Sequence, residues 1–169
     1  MSSEQLDGLR AQAAHHRRCW SEQTEGLKLA TVLFRTHPAG PSVAWLLGHV
    51  LHEVDTTIEA VLDAERTLPN SFVERASHAD WCVESQADWE QLRAHWSDAC
   101  VTLEKGLKQL PAAALQEPCA VPIHAALGDA LSTRLAWFQG HLFHLAYHLG
   151  QATLLRNAAV RNPLPPPQG

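Results

Sequence analysis

Proline divides this chain into segments that can form helices and segments that cannot. A proline inside a helix removes one backbone donor and clashes with the preceding turn. All ten prolines stand between long proline-free stretches or in the C-terminal tail. Those stretches carry apolar residues at helical spacing, and none alternates apolar and polar residues as a strand would. The sequence therefore predicts four principal helices.

The first helix begins near Ser3 and ends well before the run THPAGP, residues 36–41, which no helix can cross. We expect it to reach about Leu27 or, with a bend near Gly26, to continue to Phe34.

Three more helices follow from the same pattern. Helix two covers residues 42–66, helix three residues 88–110 and helix four residues 130–159. Between helices two and three, residues 67–85 form a long connection that has room for a short helical turn at residues 71–74.

These elements predict one all-α domain, residues 1–159, followed by a proline-rich flexible tail, residues 160–169. A chain of 169 residues is long enough to bury a core. Amphipathic helices must bury their apolar stripes against one another, so we expect a four-helix bundle.

Charge and hydropathy exclude two classes of partner. The net charge of −5 is spread along the chain, so no basic stripe is available for nucleic acid. The most apolar stretch, residues 43–51, is too short to cross a membrane, and the polar N-terminus does not read as a secretory signal. Four cysteines occur singly, without a CxxC pair. We therefore expect a cytoplasmic protein with reduced thiols.

Histidine is the unusual residue, with eleven in the chain. His144 and His148 lie roughly 40° apart on a helix, about one turn apart in height, so their imidazoles can converge on one ion. The same arithmetic admits His141 as a third member. A further ligand should come from a facing helix, and helix two offers His49 and His52.

Helical geometry separates the two residues of helix two. From the centre of the apolar arc, His49 lies roughly 110° away, at the edge of the core, and His52 roughly 170° away, facing water. Glu53 is our candidate catalytic residue, and three roles stay open for it: orienting a ligand, acting as a fourth ligand, or serving as a general base. The competing interpretation is that these histidines are ordinary half-buried residues, since a single HxxxH is common.

The segments SVAWLLGHVLHEVD in helix two and HLFHLAYHLGQATLLRN in helix four resemble the DinB/YfiT-like superfamily of metal-dependent proteins over most of the chain. The resemblance implies an up-down-down-up bundle with a three-histidine site for zinc or nickel, here His49, His144 and His148. Gly150 and Gln151 keep the family's ending.

Three positions of helix four bear on how closely this chain follows the family pattern. Leu149 stands where the family usually has arginine, so a role for that cation is in doubt here. His141 is an extra histidine and an additional candidate ligand. Gly150 lowers helix stability, so we expect it to allow close helix approach beside the histidines.

Family members with assigned activities are similar to thiol-dependent transferases and isomerases that use a low-molecular-weight thiol such as bacillithiol or mycothiol. The leading hypothesis is therefore a metal-dependent transferase or hydrolase acting on a small molecule. One alternative is a non-catalytic metal protein that stores, senses or is stabilised by the ion, with a closed ligand shell. Another is a metal-free bundle that works through protein contacts. We also expect a homodimer.

Overall fold

The computed structural model describes residues 3–69, 82–120 and 133–162. Five α-helices lie in these ranges: α1 (Ser3–Thr24), α2 (Leu29–Val32), α3 (Val43–Leu62), α4 (Gln86–Gln109) and α5 (Arg134–Arg161). A 3-10 helix, Ala112–Gln116, follows α4. The described residues contain one isolated antiparallel bridge, between Pro118 and Thr133, and no strand. The all-α prediction is confirmed.

Local capping explains where three of the long helices begin. Ser42, Ser85 and Thr133 each accept a hydrogen bond from a backbone N–H in the first turn of α3, α4 and α5, which satisfies donors that a helix N-terminus leaves unpaired. At Gly26 the backbone has a φ of 66°, so α1 stops at Thr24 and α2 is a separate short helix rather than an extension.

Several predicted bounds shift. Asp63, in the left-handed region at a φ of 55°, ends α3 at Leu62, four residues earlier than predicted. The C-terminal helix extends to Arg161, two residues into the segment predicted as tail. The predicted turn at residues 71–74, the start of helix four at residues 130–132 and the tail from residue 163 lie outside the described residues.

The end of α3 is tied to the following connection by a buried carboxylate. Asp55 is fully buried, and its Oδ1 accepts hydrogen bonds from the backbone N–H of Thr67, the hydroxyl of Thr67 and the backbone N–H of Leu68. Such bonds repay part of the cost of burying the carboxylate. They hold the first residues of the long connection against α3.

The four long helices form the bundle, in which α1 and α3 each pack against α4 and α5. Contacts from Arg10 to the carbonyl of Leu107 and between the rings of Trp20 and Trp96 show that α1 and α4 are antiparallel. Trp20 also donates to the carbonyl of Leu145, and further along the same helices Arg156 donates to Gln23, so α1 and α5 are parallel.

The orientation of α3 completes the topology. His49 meets His144, whereas Arg134 at the start of α5 donates to the carbonyl of Val61 near the end of α3. These two contacts make α3 antiparallel to α5 and hence parallel to α4. The predicted up-down-down-up order is confirmed.

The centre of the bundle is filled by large apolar side chains from all four long helices. Aromatic rings dominate it, since Trp20, Trp89, Trp96 and Phe138 are among the largest fully buried side chains. No helix in the described ranges is long and apolar enough to span a membrane.

Glycine supports close helix packing at Gly106 rather than at Gly150. A Cβ added to Gly106 would collide with the side chain of Leu62 across the α3–α4 interface. A Cβ added to Gly150 would meet no atom of the described residues within 4 Å. The expectation for Gly150 is wrong, because this glycine lies on the exposed face of α5.

Candidate metal centre

His49 enters the site from the middle of α3. The apolar stripe of that helix is buried, which leaves His49 half-buried at its edge, as predicted. The indole of Trp45, one turn earlier, stacks on its ring at 5.1 Å with an interplanar angle of 9°. This stack limits rotation of the imidazole. His52 is also half-buried, so the prediction that it faces water is only partly right.

His144 and His148 reach the same place from α5. The helical spacing sets their ring centroids 4.4 Å apart, and the centroid of His49 lies 5.0 Å from that of His144 and 4.8 Å from that of His148. Nε2 of His49 is 2.9 Å from Nε2 of His144. One nitrogen from each ring falls within 4.8 Å of the others, so the three form a group that can hold a metal ion.

All three imidazoles are biased toward the neutral form, which is the form that binds metal. Burial, with help from the charges of His148, His144 and His52, lowers the pKa of His49 to about 4. Burial also lowers the pKa of His144. For His148, burial lowers the pKa, while the hydrogen bond to Gln151 and the charge of Glu53 act in the opposite direction.

His141 lies outside this group and in the core. It is 5 % exposed, stacks near Phe138, and lines a small cavity with Arg17, Cys100 and Glu104 among others. Burial, followed by the charges of His144 and His16, lowers its pKa to about 3. Both ring nitrogens are buried without a hydrogen-bond partner in the part of the chain that the structure describes.

Glu53 also lies outside the three-histidine group found among the described residues. It sits one turn after His49 on α3 and is half-buried. Burial lowers the pKa of His148, and the negative charge of Glu53 partly opposes that lowering, so its carboxylate acts electrostatically on the site from the α3 side.

Cysteine contributes nothing to the group. None of the four cysteines, all of which lie in the described part of the chain, forms a disulfide, and only Cys100 is buried. Burial raises the pKa of the Cys100 thiol, so this side chain stays protonated.

Two residues that contact the histidines were not predicted from the sequence to take part in the site. Nδ1 of His148 lies 2.7 Å from Oε1 of Gln151, and Nε2 of Gln151 donates to the hydroxyl of Tyr147 at 3.1 Å. The second is Trp45, which stacks on His49. Helical spacing could have found both, because Gln151 follows His148 by three residues and Trp45 precedes His49 by four.

Leu149 fills the position where arginine was expected, and it packs against the core. Arg156, further along α5, donates to Gln23 on α1. This arginine therefore ties two helices together, and Leu149 supplies no cation to the histidines.

The amino-acid sequence around this site matches a known protein family. It matches the mycothiol-S-transferase family over residues 8–160. The chain belongs to the mycothiol-S-transferase family. That family is DinB/YfiT-like, so the resemblance seen in the sequence is confirmed. The matched range includes all three histidines of the group.

One solved structure has the same fold as this family member. It is a conserved protein from Enterococcus faecalis, 17 % identical in sequence, with a TM-score of 0.70. The alignment covers 96 % of this chain and 99 % of the other. At this identity the likeness concerns the fold alone. No curated protein matches the sequence.

Proposed function

We propose that this protein is a metal-dependent thiol S-transferase that joins a low-molecular-weight thiol to an electrophilic small molecule. The observation that carries the proposal is the three-histidine group, in which His49, His144 and His148 converge from two helices. Membership of the mycothiol-S-transferase family supports mycothiol, or a similar thiol such as bacillithiol, as the thiol class.

The donor set fits a divalent transition metal. Three neutral imidazoles suit zinc or nickel, and three protein ligands leave a coordination position open. A bound ion lowers the pKa of a coordinated thiol and so supplies a thiolate near neutral pH. His49, His144 and His148 hold the ion in this proposal, and Trp45 fixes the ring of His49 by stacking.

The proposed reaction forms a thioether. A thiol RSH and an electrophile R′–X give RS–R′ and HX: the S–H bond breaks, sulfur attacks carbon, and X leaves with the bonding electrons. Glu53 is the candidate acceptor of the thiol proton, because its charge already acts on His148. The cytoplasm, where small thiols are kept reduced, is the compartment that this reaction requires.

The test begins with metal content. The tag-free protein is compared with a His144→Ala/His148→Ala variant and with a control, His15→Ala/His37→Ala, which removes two exposed histidines elsewhere. We expect about one zinc or nickel per chain in the wild type and control, and loss in the site variant. A wild type that binds no metal at this site would contradict the proposal.

The second part measures turnover. Mycothiol and a fluorogenic haloalkyl electrophile are supplied to metal-loaded protein, and thioether formation is followed. We expect turnover in the wild type and the control variant, and none in the site variant. Metal binding without turnover across thiols and electrophiles would instead favour the non-catalytic metal protein, and hydrolysis without thiol would favour a hydrolase.

A further inference from the structure

A hydrogen-bonded chain leads from His148 to the surface of the protein. Nδ1 of His148 is 2.7 Å from Oε1 of Gln151, and the amide nitrogen of Gln151 donates to the hydroxyl of Tyr147 at 3.1 Å. His148 is 8 % exposed, whereas Tyr147 is 56 % exposed. These hydrogen bonds therefore connect an almost buried imidazole to an exposed side chain through one amide.

An amide oxygen only accepts hydrogen bonds, so the imidazole must donate to it. A neutral imidazole that carries its proton on Nδ1 has its lone pair on Nε2. We infer that Gln151 is a positioning residue that holds His148 in the Nδ1–H tautomer and leaves the Nε2 lone pair for a metal ion. This inference rests on the proposed metal site.

Tyr147 binds the other end of the same amide. If the amide were reversed, its NH₂ group would face Nδ1 of His148 and would favour the opposite tautomer, which cannot bind metal through Nε2. In the structure the NH₂ group donates to the hydroxyl of Tyr147, and the amide oxygen faces Nδ1 of His148. The tyrosine ring also lies edge-on to the His148 ring at 5.0 Å.

The two helices thus fix their histidines in different ways. On α3, the stack of Trp45 restrains the plane of His49 but does not select a tautomer. On α5, the hydrogen bond of Gln151 selects both the ring orientation and the tautomer of His148. Partners of this kind typically change metal affinity by about 10- to 100-fold when they are removed.

Three variants isolate the role of the amide. Gln151→Met keeps the length of the side chain and removes the acceptor, whereas Gln151→Glu retains an acceptor and can receive a hydrogen bond from Tyr147. Gln139→Met is the matched control, because Gln139 is an exposed glutamine three turns earlier on α5. Zinc affinity is measured for each by competition with a chelator.

We expect Gln151→Met to weaken zinc binding by about 10- to 100-fold. Gln151→Glu should keep at least the zinc affinity of the wild type, and Gln139→Met should leave zinc affinity unchanged. Unchanged affinity in Gln151→Met would overturn the inference. Equal losses in the Met and Glu variants would also overturn it, because they would indicate disturbed packing rather than a lost acceptor.

A second readout does not depend on the metal. Long-range ¹H–¹⁵N NMR of the metal-free full chain reports the tautomer of His148, whose signals are assigned with a His148→Gln variant. We expect Nδ1–H in the wild type and a mixture in Gln151→Met; Nε2–H in the wild type would overturn the inference. Absence of zinc binding by the wild type would refute the proposed function, while the NMR result would still decide the tautomer.

Discussion

The Nε2 atoms of His49 and His144 lie 2.9 Å apart, although 95 positions separate the two residues in the chain. Tetrahedral zinc with Zn–N bonds of about 2.0–2.1 Å places two ligand nitrogens roughly 3.3 Å apart. The two atoms are thus close to the spacing that an ion requires. One nitrogen of His148 lies within 4.8 Å of the other two ligands, so its side chain would have to move closer for an ion to bind.

The first prediction concerns stabilisation by zinc. An ion that binds only the folded state should stabilise the wild type by about 2.7 kcal/mol when free zinc is 100 times the Kd. His49→Ala removes the only ligand that the proposed site takes from α3, so the increase in Tm on adding zinc should nearly vanish. Thermal unfolding in zinc and in chelator measures this. The His15→Ala/His37→Ala variant should keep the full increase, and an equal increase in His49→Ala would contradict the site.

The second prediction separates the three roles of Glu53. If Glu53 accepts the thiol proton, Glu53→Gln should bind zinc as the wild type does but lose turnover about 10²- to 10⁴-fold, as is usual for a lost general base. Zinc titration and thiol transfer are measured on the same preparation. A loss of zinc affinity of similar size would instead make Glu53 a ligand or a residue that orients one. Glu59→Gln, a substitution on the same helix further from the histidines, is the control.

The third prediction concerns the buried His141. Its ring nitrogens lack partners among the described residues, and an unsatisfied buried polar group costs about 1–3 kcal/mol, so His141→Leu should raise the free energy of unfolding at pH 7 by that order. Urea unfolding measures it. His141→Asn, which keeps a polar group in an apolar place, should destabilise the protein. A destabilised His141→Leu variant would show that the imidazole makes favourable polar contacts.

The low pKa of His141 predicts that the stability of the protein depends on pH. The pKa of His141 is about 3 in the folded protein, against an ordinary value of 6.5, so the unfolded chain binds this proton first as the pH falls. Protonation of His141 does not reduce the free energy of unfolding above pH 6.5, but it lowers that free energy progressively as the pH falls from 6.5 toward about 3. Each such group contributes a slope of about 1.4 kcal/mol per pH unit. The stability advantage of His141→Leu should therefore grow between pH 6.5 and pH 4, and a constant difference would refute this account.

The fourth prediction contrasts two glycines within helices. Gly150→Ala should stabilise the protein by about 1 kcal/mol, because alanine is the better helix former and its Cβ meets nothing within 4 Å. Gly106→Ala should be less stable than Gly150→Ala by about 1 kcal/mol or more, because the added Cβ overlaps the side chain of Leu62, which must leave its place between α3 and α4. Differential scanning calorimetry tests both variants. Equal stabilisation of the two variants would contradict the packing described for α4 and α5.

Much of this protein is determined locally and could be predicted from sequence. Proline positions, capping residues and apolar spacing depend on neighbours within a few residues, so the four long helices and the HxxxH pair of His144 and His148 were predicted. The end of α3 was placed too late, because the left-handed conformation at Asp63 has no strong sequence signal.

Helical spacing left open which histidines meet; the family resemblance implied His49, His144 and His148, and the tertiary structure brings these three together. Spacing on α5 admits His141 together with His144 and His148, since all three fall on one stripe of the helix. The antiparallel packing of α3 sets His49 level with His144 and His148, whereas His141, two turns before His148, is level with Val54 in the core. The relative height of two helices is set by long-range packing of their side chains, which no local pattern in one sequence records. The same reason explains why Gly106, and not Gly150, marks a close helix contact.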